Sequence, residues 1–536
     1  MASKAKKTRR IVVYDTTLRD GAQGSFVTFS VPDKLLIARA LDRIGVDYVE
    51  GGFPGSNPKD EEFFASLAAT PLKKSRLAAF GATRRAGGTC EDDTNLAALA
   101  RSCAPTWTLV GKSDTWQVRK VLQTTEDENL AMIRESVAYG LKSGHEVIFD
   151  AEHFFDGFTR DRDYALEVCE AAAQAGASWV VLCDTNGGSL PAKIRAGVEA
   201  VVERLGSVGA RAGTGIHTHN DCELAVANSI EAIAAGADMV QGTINGYGER
   251  CGNANLISVV ANVVLKLGLD AMPAGAVSRF TDLSRTVAEI ANLALPAQQP
   301  FVGQGAFAHK GGQHVAAVLK DADAYQHIDP GLVGNQQRVL VSELSGRGSV
   351  LSKAREFGIE IDRDDPETRR IVQHLKELEH RGYSYEAADA SFELLLRRLH
   401  PEYLPPWRVV DFTTLVRRHG TAVQAEATVK VEVGSEVYHT AASGNGPVNA
   451  LDAALRKALI PRFPALKGVR LLDYKVRILD GAAGTGATTR VLVESGKASK
   501  RWATVGCSSN IIEASLEALL DALEFAARPS PLTPLP

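Results

Sequence analysis

The sequence predicts an α/β protein built on a (β/α)8 barrel, followed by a helical linker region and a C-terminal α+β module. Eight short apolar runs alternate with segments of helical periodicity over the first half of the chain. A region of helices and loops follows, and the last part repeats a strand-strand-strand-helix pattern. Alternating strands and helices favour a parallel sheet covered by helices, and eight such units favour a closed barrel.

The predicted barrel occupies residues 10–284, with predicted strands at 11–15, 48–52, 77–81, 106–110, 146–150, 179–183, 214–219 and 239–244. Helical segments such as 32–45 and 162–176 lie between the strands, and several end in a glycine before the next strand, which suits a helix C-terminus. An open doubly wound sheet is the alternative architecture. The third unit is short and poorly patterned, which bears on the count of eight.

Residues 285–405 form the predicted linker, a region of helical subdomains. Helical periodicity covers 283–295, a polar Gly-rich stretch covers 301–314, and two amphipathic helices are expected over 366–382 and 384–400. The proline cluster within 401–407 marks the end of this region, because proline stops helices.

The C-terminal segment 406–528 contains three strand-like runs and a helix over 447–459, then three more runs and a helix over 510–526. Such a duplication implies a small α+β module with pseudo-twofold symmetry. The module has no cluster of acids, histidines and nucleophiles. We therefore expect regulation or dimerisation from it, and not catalysis.

Composition excludes several classes of protein. The net charge of −4 gives no reason to expect nucleic acid or an anionic membrane as partner. The seven cysteines form no CxxC pair, and their odd number fits a reducing cytosol. The basic start lacks the apolar stretch of a signal peptide, and no run is long enough to span a bilayer. We expect a cytoplasmic protein.

The predicted seventh strand carries two histidines, His217 and His219, that are two residues apart. Alternate residues of a strand point to the same face, so both imidazoles can aim at one point. The carboxyl ends of barrel strands are where such enzymes keep their active sites. A hydrogen-bonded pair of core histidines is the plainer alternative, but two buried imidazoles without a function are costly.

Two other residues can supply oxygen ligands beside these histidines. Asp20 follows the first strand, which is separated from the seventh by only one strand in a closed ring, and Asn253 follows the eighth. A mixed set of nitrogen and oxygen donors suits a divalent Lewis acid with open positions, such as Mn²⁺, Zn²⁺ or Mg²⁺. For Asn253 alone, a helix cap is the alternative role.

Further polar residues end strands at the same edge, namely Glu50, Glu152 and Thr185. Several polar groups on one rim indicate a site. Arg19 and Asp20 are adjacent, but neighbouring side chains of an extended chain point apart and exposed ion pairs contribute little. We therefore expect the two charges to have separate roles.

At this point four features together resemble the 2-isopropylmalate synthase-like family of acyl-CoA condensing enzymes. They are the segments 15–24, 217–238 and 242–256 and the doubled terminal module. The family includes isopropylmalate, homocitrate and citramalate synthases, and residues 33–64 look most like the citramalate branch. The resemblance extends from about residue 10 to the end of the module. It implies condensation of acetyl-CoA with pyruvate and hydrolysis of the thioester to citramalate and CoA.

The resemblance also implies roles for barrel residues. Asp20, His217 and His219 would bind the divalent metal, with Asn253 at or near its coordination shell. Arg19 would face the keto oxygen of pyruvate.

Other roles carry over to the substrate side of the site. Glu152 and Thr185 would line the pyruvate, and Glu249 would lie near the thioester. In the linker, His314 is the candidate base for the acetyl methyl group, and Tyr325, whose spacing matches loosely, would assist it.

Family membership would imply a homodimer whose linker reaches the partner's barrel, with isoleucine as feedback effector at the terminal module. A synthase for a larger 2-keto acid, giving isopropylmalate or homocitrate, is the alternative within the family. A lyase of the hydroxymethylglutaryl-CoA type is disfavoured by the doubled module. A non-catalytic amino-acid sensor is disfavoured by the intact set Arg19, Asp20, His217 and His219.

Overall fold

The computed structural model describes residues 9–340, 347–359, 366–399, 403–498 and 500–528. The chain divides into two compact units whose segments alternate along the sequence. The first unit runs to Phe307 and includes Ile328–Gln337. The second unit comprises Ala308–His327 and the chain from Arg338 onward.

The first unit is a closed barrel of eight parallel strands, which confirms the predicted fold and excludes the open sheet. β1 pairs with both β2 and β8, so the ring is complete. The strands are β1 Val12–Asp15, β2 Tyr48–Glu50, β3 Arg76–Ala82, β4 Thr106–Lys112, β5 Glu146–Glu152, β6 Trp179–Asp184, β7 Gly213–Thr218 and β8 Met239–Gly242.

Helices cover the outside of the barrel, where their apolar faces and the strands form one large core. They are α1 Val31–Ile44, α2 Pro58–Ala69, α3 Thr94–Arg101, α4 Thr115–Gln117, α5 Glu126–Lys142, α6 Phe154–Arg160, α7 Arg162–Gln174, α8 Pro191–Ser207, α9 Ala225–Ala235, α10 Leu256–Leu265 and α11 Phe280–Ile290.

Local signals explain the ends of α1. Ser30 and Asp33 form a capping box at its start, and Gly45 ends it in a left-handed conformation at φ 84°.

The interior of the barrel is filled by a separate apolar layer. Tyr14 and Tyr48 stack with their ring centroids 5.6 Å apart, and Ile148, Val181 and Met239 pack in the same cluster. These residues make the barrel a packed core instead of a pore.

The second unit begins with the parallel pair β9 Ala308–His309 and β10 Arg338–Val339. Its helices are α12 Gly312–Val318, α13 Arg347–Glu356, α14 Pro366–His380 and α15 Asp389–Arg398. The helix expected from residue 384 starts only at Asp389. Tyr385 and Ala388 form a turn there, and both are buried in the core around Phe392, which fixes them outside the helix.

The terminal module consists of two three-stranded antiparallel sheets, each followed by a helix, which confirms the predicted duplication. The first half is β11 Arg408–His419, β12 Ala422–Val433, β13 Glu436–Gly444 and α16 Pro447–Leu459. The second half is β14 Arg470–Ile478, β15 Thr489–Lys497, β16 Lys500–Ser508 and α17 Ile511–Ala527. Within the described part of the chain, no helix has the length and apolar character that crossing a bilayer requires.

Candidate active site

The loop after β1 is held in shape by Asp15, the last residue of that strand. Its carboxylate accepts hydrogen bonds from the backbone N–H and the hydroxyl of Thr17, at 3.0 and 2.9 Å. The same hydroxyl oxygen accepts the backbone N–H of Ile244 at 2.8 Å, which ties this loop to the loop after β8. These bonds place Arg19 and Asp20 at the carboxyl end of the barrel.

Asp20, His217 and His219 converge on one buried point. Oδ2 of Asp20 lies 3.1 Å from Nε2 of His217 and 3.9 Å from Nε2 of His219, and the two imidazole nitrogens are 3.3 Å apart. β7 ends at Thr218, so His219 follows the strand instead of ending it, and it forms a bridge with Asn253 there. Three side chains that can hold a divalent cation are thus brought together.

Electrostatics favours the metal-binding forms of two of these groups, Asp20 and His219. Burial acts to raise the pKa of Asp20, but the charge of Arg19 and the hydrogen bond with His217 outweigh it and hold that pKa below its usual value. Burial, together with the neighbouring His217, lowers the pKa of His219 to about 4. The site therefore presents an ionised carboxylate and a neutral imidazole at neutral pH.

Asn253 lies directly beside this cluster. Its Nδ2 donates to Oδ2 of Asp20 at 2.8 Å, whereas its Oδ1 is buried without a hydrogen-bond partner among the described residues. A half-turn of the amide would exchange the two atoms and present the oxygen to the cluster. The unsatisfied oxygen and the carboxylate-imidazole donor set fit a divalent cation. The helix-cap alternative is wrong, because Asn255 caps α10.

Arg19 has its closest contact with Glu50, which ends β2 and is fully buried. Its Nε donates to Oε2 of Glu50 at 2.7 Å, and its guanidinium carbon lies 3.9 Å from the ring centroid of Phe80. The contact to the adjacent Asp20 is longer, at 3.6 Å. Glu50 also accepts the hydroxyl of Tyr14 at 2.8 Å. The ion pair with Glu50 of β2 and the contact with Phe80 of β3 therefore fix the position of the Arg19 guanidinium.

Glu152 and Thr185 also lie at the carboxyl edge. Glu152 ends β5 and forms an ion pair with Lys112, its register partner at the end of β4. The hydroxyl oxygen of Thr185 accepts the backbone N–H of His153 at 2.8 Å, which leaves its own hydrogen available to donate.

Glu249 lies in the loop after β8 and is more than half exposed. The adjacent Arg250 binds the carbonyl oxygen of Thr185 and the carboxylate of Asp221, both at 2.8 Å. Loops after three different strands are thereby joined around the rim.

His314 and Tyr325 belong to the second compact unit, whereas the Asp20 cluster belongs to the first. His314 lies in α12, and its ring stacks on that of Tyr325 with centroids 4.2 Å apart and planes 28° apart. Both side chains are exposed. The two residues that the loose spacing assigned to one function are therefore in direct contact.

Sequence reasoning missed three polar residues, Lys112, Asp150 and Gln241. Gln241 of β8 contacts both Nδ1 of His217, at 2.9 Å, and Oδ1 of Asp150, at 3.0 Å. Burial and the charge of Glu50 raise the pKa of Asp150 to about 7. The sequence offered a sign of two of these residues: Gln241 is a glutamine inside the apolar run 239–244, and Asp150 is a carboxylate at the end of the run 146–150.

Comparison with known protein families agrees with this architecture. Residues 10–287 match the HMGL-like family, and residues 301–383 match the homocitrate synthase post-HMGL domain-like family. Residues 386–527 match the LeuA allosteric (dimerisation) domain.

Curated relatives cover almost the whole chain. The (R)-citramalate synthase of Aquifex aeolicus is 49% identical over 96% of this chain and 97% of its own. That of Sulfolobus acidocaldarius is 42% identical over 97% of each chain. The 2-isopropylmalate synthase of Yersinia pestis is 32% identical over 96% of this chain and 95% of its own. The chain therefore belongs to the HMGL-like enzyme family, within the branch of the (R)-citramalate synthases.

Proposed function

We propose that this chain is a metal-dependent (R)-citramalate synthase of isoleucine biosynthesis. In the reaction, the acetyl methyl group of acetyl-CoA loses a proton and forms a carbon–carbon bond to the keto carbon of pyruvate. Water then adds to the thioester, and CoA leaves as the free thiol. The observation that carries the proposal is near-full-length identity of 49% to a citramalate synthase, against 32% to a 2-isopropylmalate synthase.

The metal site of this proposal consists of Asp20, His217 and His219, with Asn253 at its edge. A divalent cation held there, Mn²⁺, Zn²⁺ or Mg²⁺, would polarise the keto carbonyl and offset negative charge on its oxygen. Burial of all four side chains supports the proposal, because fixed donors act most strongly where water is excluded.

Barrel residues would orient the pyruvate. Arg19, fixed by Glu50 and Phe80, offers its terminal N–H groups to a substrate oxygen. The hydroxyl of Thr185 can donate to the same anion, since its oxygen already accepts a backbone N–H. Glu152, paired with Lys112, would line the substrate from the end of β5.

Two linker residues and one residue of the loop after β8 would move the protons. We assign His314 as the base that removes the acetyl proton and Tyr325 as the group that holds its ring. Glu249 would activate the water that hydrolyses the thioester.

Assembly and regulation form the remaining part of the proposal. We assign catalysis to residues 10–284, completion of the site to 285–405, and dimerisation and isoleucine feedback to 406–528. The match of residues 386–527 to an allosteric dimerisation domain supports a homodimer. The active sites would be shared between subunits. We assign the enzyme to the cytoplasm, because all seven cysteines are free thiols, which suits a reducing cytosol.

A panel of keto acids tests the reaction. Purified full-length enzyme is incubated with acetyl-CoA and pyruvate, 2-oxobutyrate, 2-oxoisovalerate or 2-oxoglutarate, and thiol release is followed. We expect the highest kcat/KM with pyruvate and (R)-citramalate as product. Preference for 2-oxoisovalerate or 2-oxoglutarate would reassign the chain to a synthase for a larger keto acid. Absence of thiol release with every keto acid would favour a sensor.

Two variants test the residue assignments. Asp20→Ala should fold but lose nearly all turnover, whereas Glu203→Ala, an exposed change on α8, serves as the control. His314→Ala should lose about 10²–10⁴-fold in kcat, the usual contribution of a general base, and retain metal binding. Wild-type turnover of Asp20→Ala in a metal-supplemented assay would contradict the metal assignment.

A further inference from the structure

We propose that Gln241 and Asp150 are positioning residues that fix the tautomer and the ring orientation of His217. They would keep the Nε2 lone pair of that imidazole available at the cluster formed with Asp20 and His219. The inference rests on the proposed metal site, but it does not depend on which keto acid the enzyme uses.

The Gln241 amide has a defined orientation. Its Nε2 lies 3.0 Å from Oδ1 of Asp150, and both residues are buried. An ionised carboxylate accepts hydrogen bonds and donates none, so above about pH 7, where Asp150 is ionised, the amide turns its NH₂ group toward it. The amide oxygen is thereby directed to the opposite side.

The orientation of this amide determines which nitrogen of His217 carries the hydrogen. The amide oxygen of Gln241 lies 2.9 Å from Nδ1 of His217. Two acceptors at that distance would repel each other, so Nδ1 must carry the hydrogen and donate it to Gln241. The hydrogen-bond chain therefore runs in one direction, from His217 through Gln241 to Asp150.

The other ring nitrogen of His217, Nε2, faces the cluster. Nε2 of His217 faces Oδ2 of Asp20 at 3.1 Å and Nε2 of His219 at 3.3 Å. With Nδ1 committed to Gln241, Nε2 is the nitrogen that can bind a cation, which would displace the hydrogen that Nε2 shares with Asp20. Partners of this kind set the tautomer and basicity of metal-binding histidines, and their removal typically weakens metal binding by about 10–100-fold.

The barrel fixes the geometry of the hydrogen-bond chain from His217 through Gln241 to Asp150. His217 and Gln241 are register partners on the adjacent strands β7 and β8, so their side chains emerge side by side. Asp150 lies on β5, and the Gln241 side chain reaches it inside the ring. Gln241 is fully buried, and Asp150 is 3% exposed, so bulk water cannot readily replace either bond.

Metal affinity tests the proposal independently of turnover. Full-length protein is stripped of metal and titrated with Mn²⁺, and free Mn²⁺ is measured by electron paramagnetic resonance. Gln241→Leu removes both hydrogen bonds and should weaken Mn²⁺ binding by about 10–100-fold. Gln241→Glu keeps an acceptor for the Nδ1 hydrogen and should recover most of the affinity. Asp150→Asn should weaken binding to an intermediate degree, because an amide there no longer dictates which way Gln241 turns.

Asp42→Asn is the matched control. This buried carboxylate accepts backbone N–H groups of Lys73, Lys74 and Ser75 and has no contact with the cluster residues, so Mn²⁺ affinity should not change. Thermal unfolding of each metal-free variant identifies any that do not fold. If Gln241→Leu fails to fold, the affinity of Asp150→Asn decides the question.

Three results would overturn the inference. One is wild-type Mn²⁺ affinity in folded Gln241→Leu, and the second, if that variant does not fold, is wild-type affinity in Asp150→Asn. The third is absence of Mn²⁺ binding by the wild-type chain, which would also remove the metal site. A keto-acid preference other than pyruvate would revise the proposed substrate and would not affect the inference about Gln241 and Asp150.

Discussion

Arg19 donates its Nε hydrogen to Oε2 of Glu50 across 2.7 Å, although the two residues are 31 positions apart in the chain. The pair joins the loop after β1 to the end of β2, and the ring of Phe80 covers the guanidinium. Arg19 is therefore a pre-oriented cation that lies closer to Glu50 than to the adjacent Asp20. A pre-oriented charge loses little freedom when substrate binds.

Glu50→Gln should lower kcat/KM for the keto acid by about 10–100-fold, because a hydrogen bond to a charged group contributes about 1.5–3 kcal/mol. Steady-state kinetics measures this loss. Mn²⁺ affinity should change much less, since Glu50 does not contact His217 or His219. Equal losses of metal affinity and of kcat/KM would show instead that Glu50 supports the whole cluster.

Gly248→Ala should disturb Asn253. A Cβ atom at position 248 would lie 2.1 Å from Oδ1 of that residue, closer than any van der Waals contact permits. We expect the displaced amide to weaken Mn²⁺ binding about tenfold or more. Gly206→Ala, a helical position with open space around it, is the control and should behave like the wild-type chain. Unchanged Mn²⁺ affinity in a folded Gly248→Ala protein would argue against a role for Asn253 at the cluster.

Asp15 should make the barrel less stable as the pH rises. Burial raises its pKa from 3.8 to about 7. Between about pH 4 and pH 7 the folded chain therefore binds more protons than the unfolded chain, and the free energy of unfolding falls with increasing pH. A difference of about three pKa units corresponds to at most about 4 kcal/mol.

Asp15→Asn removes this titration and should reduce the slope of the pH dependence over that window, to which Asp150, whose pKa is also raised to about 7, still contributes. Urea unfolding can be followed by tryptophan fluorescence in a Trp407→Phe/Trp502→Phe background, which retains the three tryptophans of the barrel unit. Asp42→Asn is the control, because the pKa of Asp42 is lowered by three backbone N–H bonds that outweigh burial. A wild-type slope between pH 4 and 7 in the Asp15→Asn protein would contradict the prediction.

Dimerisation through the terminal module should be sensitive to apolar residues on its edge strands. Leu415 of β11 and Val476 of β14 are exposed in the single chain, and each lies in a sheet of the dimerisation domain. Leu415→Asp combined with Val476→Asp should shift the protein toward monomers in light scattering after gel filtration. The exposed Lys467→Asp is the control. A dimer that withstands the double change would place the interface elsewhere.

Sequence patterns predicted the secondary structure of the terminal module closely. The helix expected over 447–459 is α16 with the same bounds, and the helix expected over 510–526 is shifted by one residue. Apolar periodicity and capping residues are local signals, so they can be recognised in the sequence without knowledge of the fold. The start of α15 could not be predicted in this way, because burial of Tyr385 and Ala388 overrides local helical preference.

The sequence by itself determined the barrel and the convergence of Asp20, His217 and His219. Strand count fixes which strands are neighbours, and residues that follow those strands must meet at one end. Only the tertiary structure decided that Arg19 pairs with Glu50, that Lys112 pairs with Glu152, and that Gln241 connects His217 to Asp150. These contacts depend on strand register and on side-chain directions inside the ring, which join residues far apart in the chain and leave no periodic trace in the sequence.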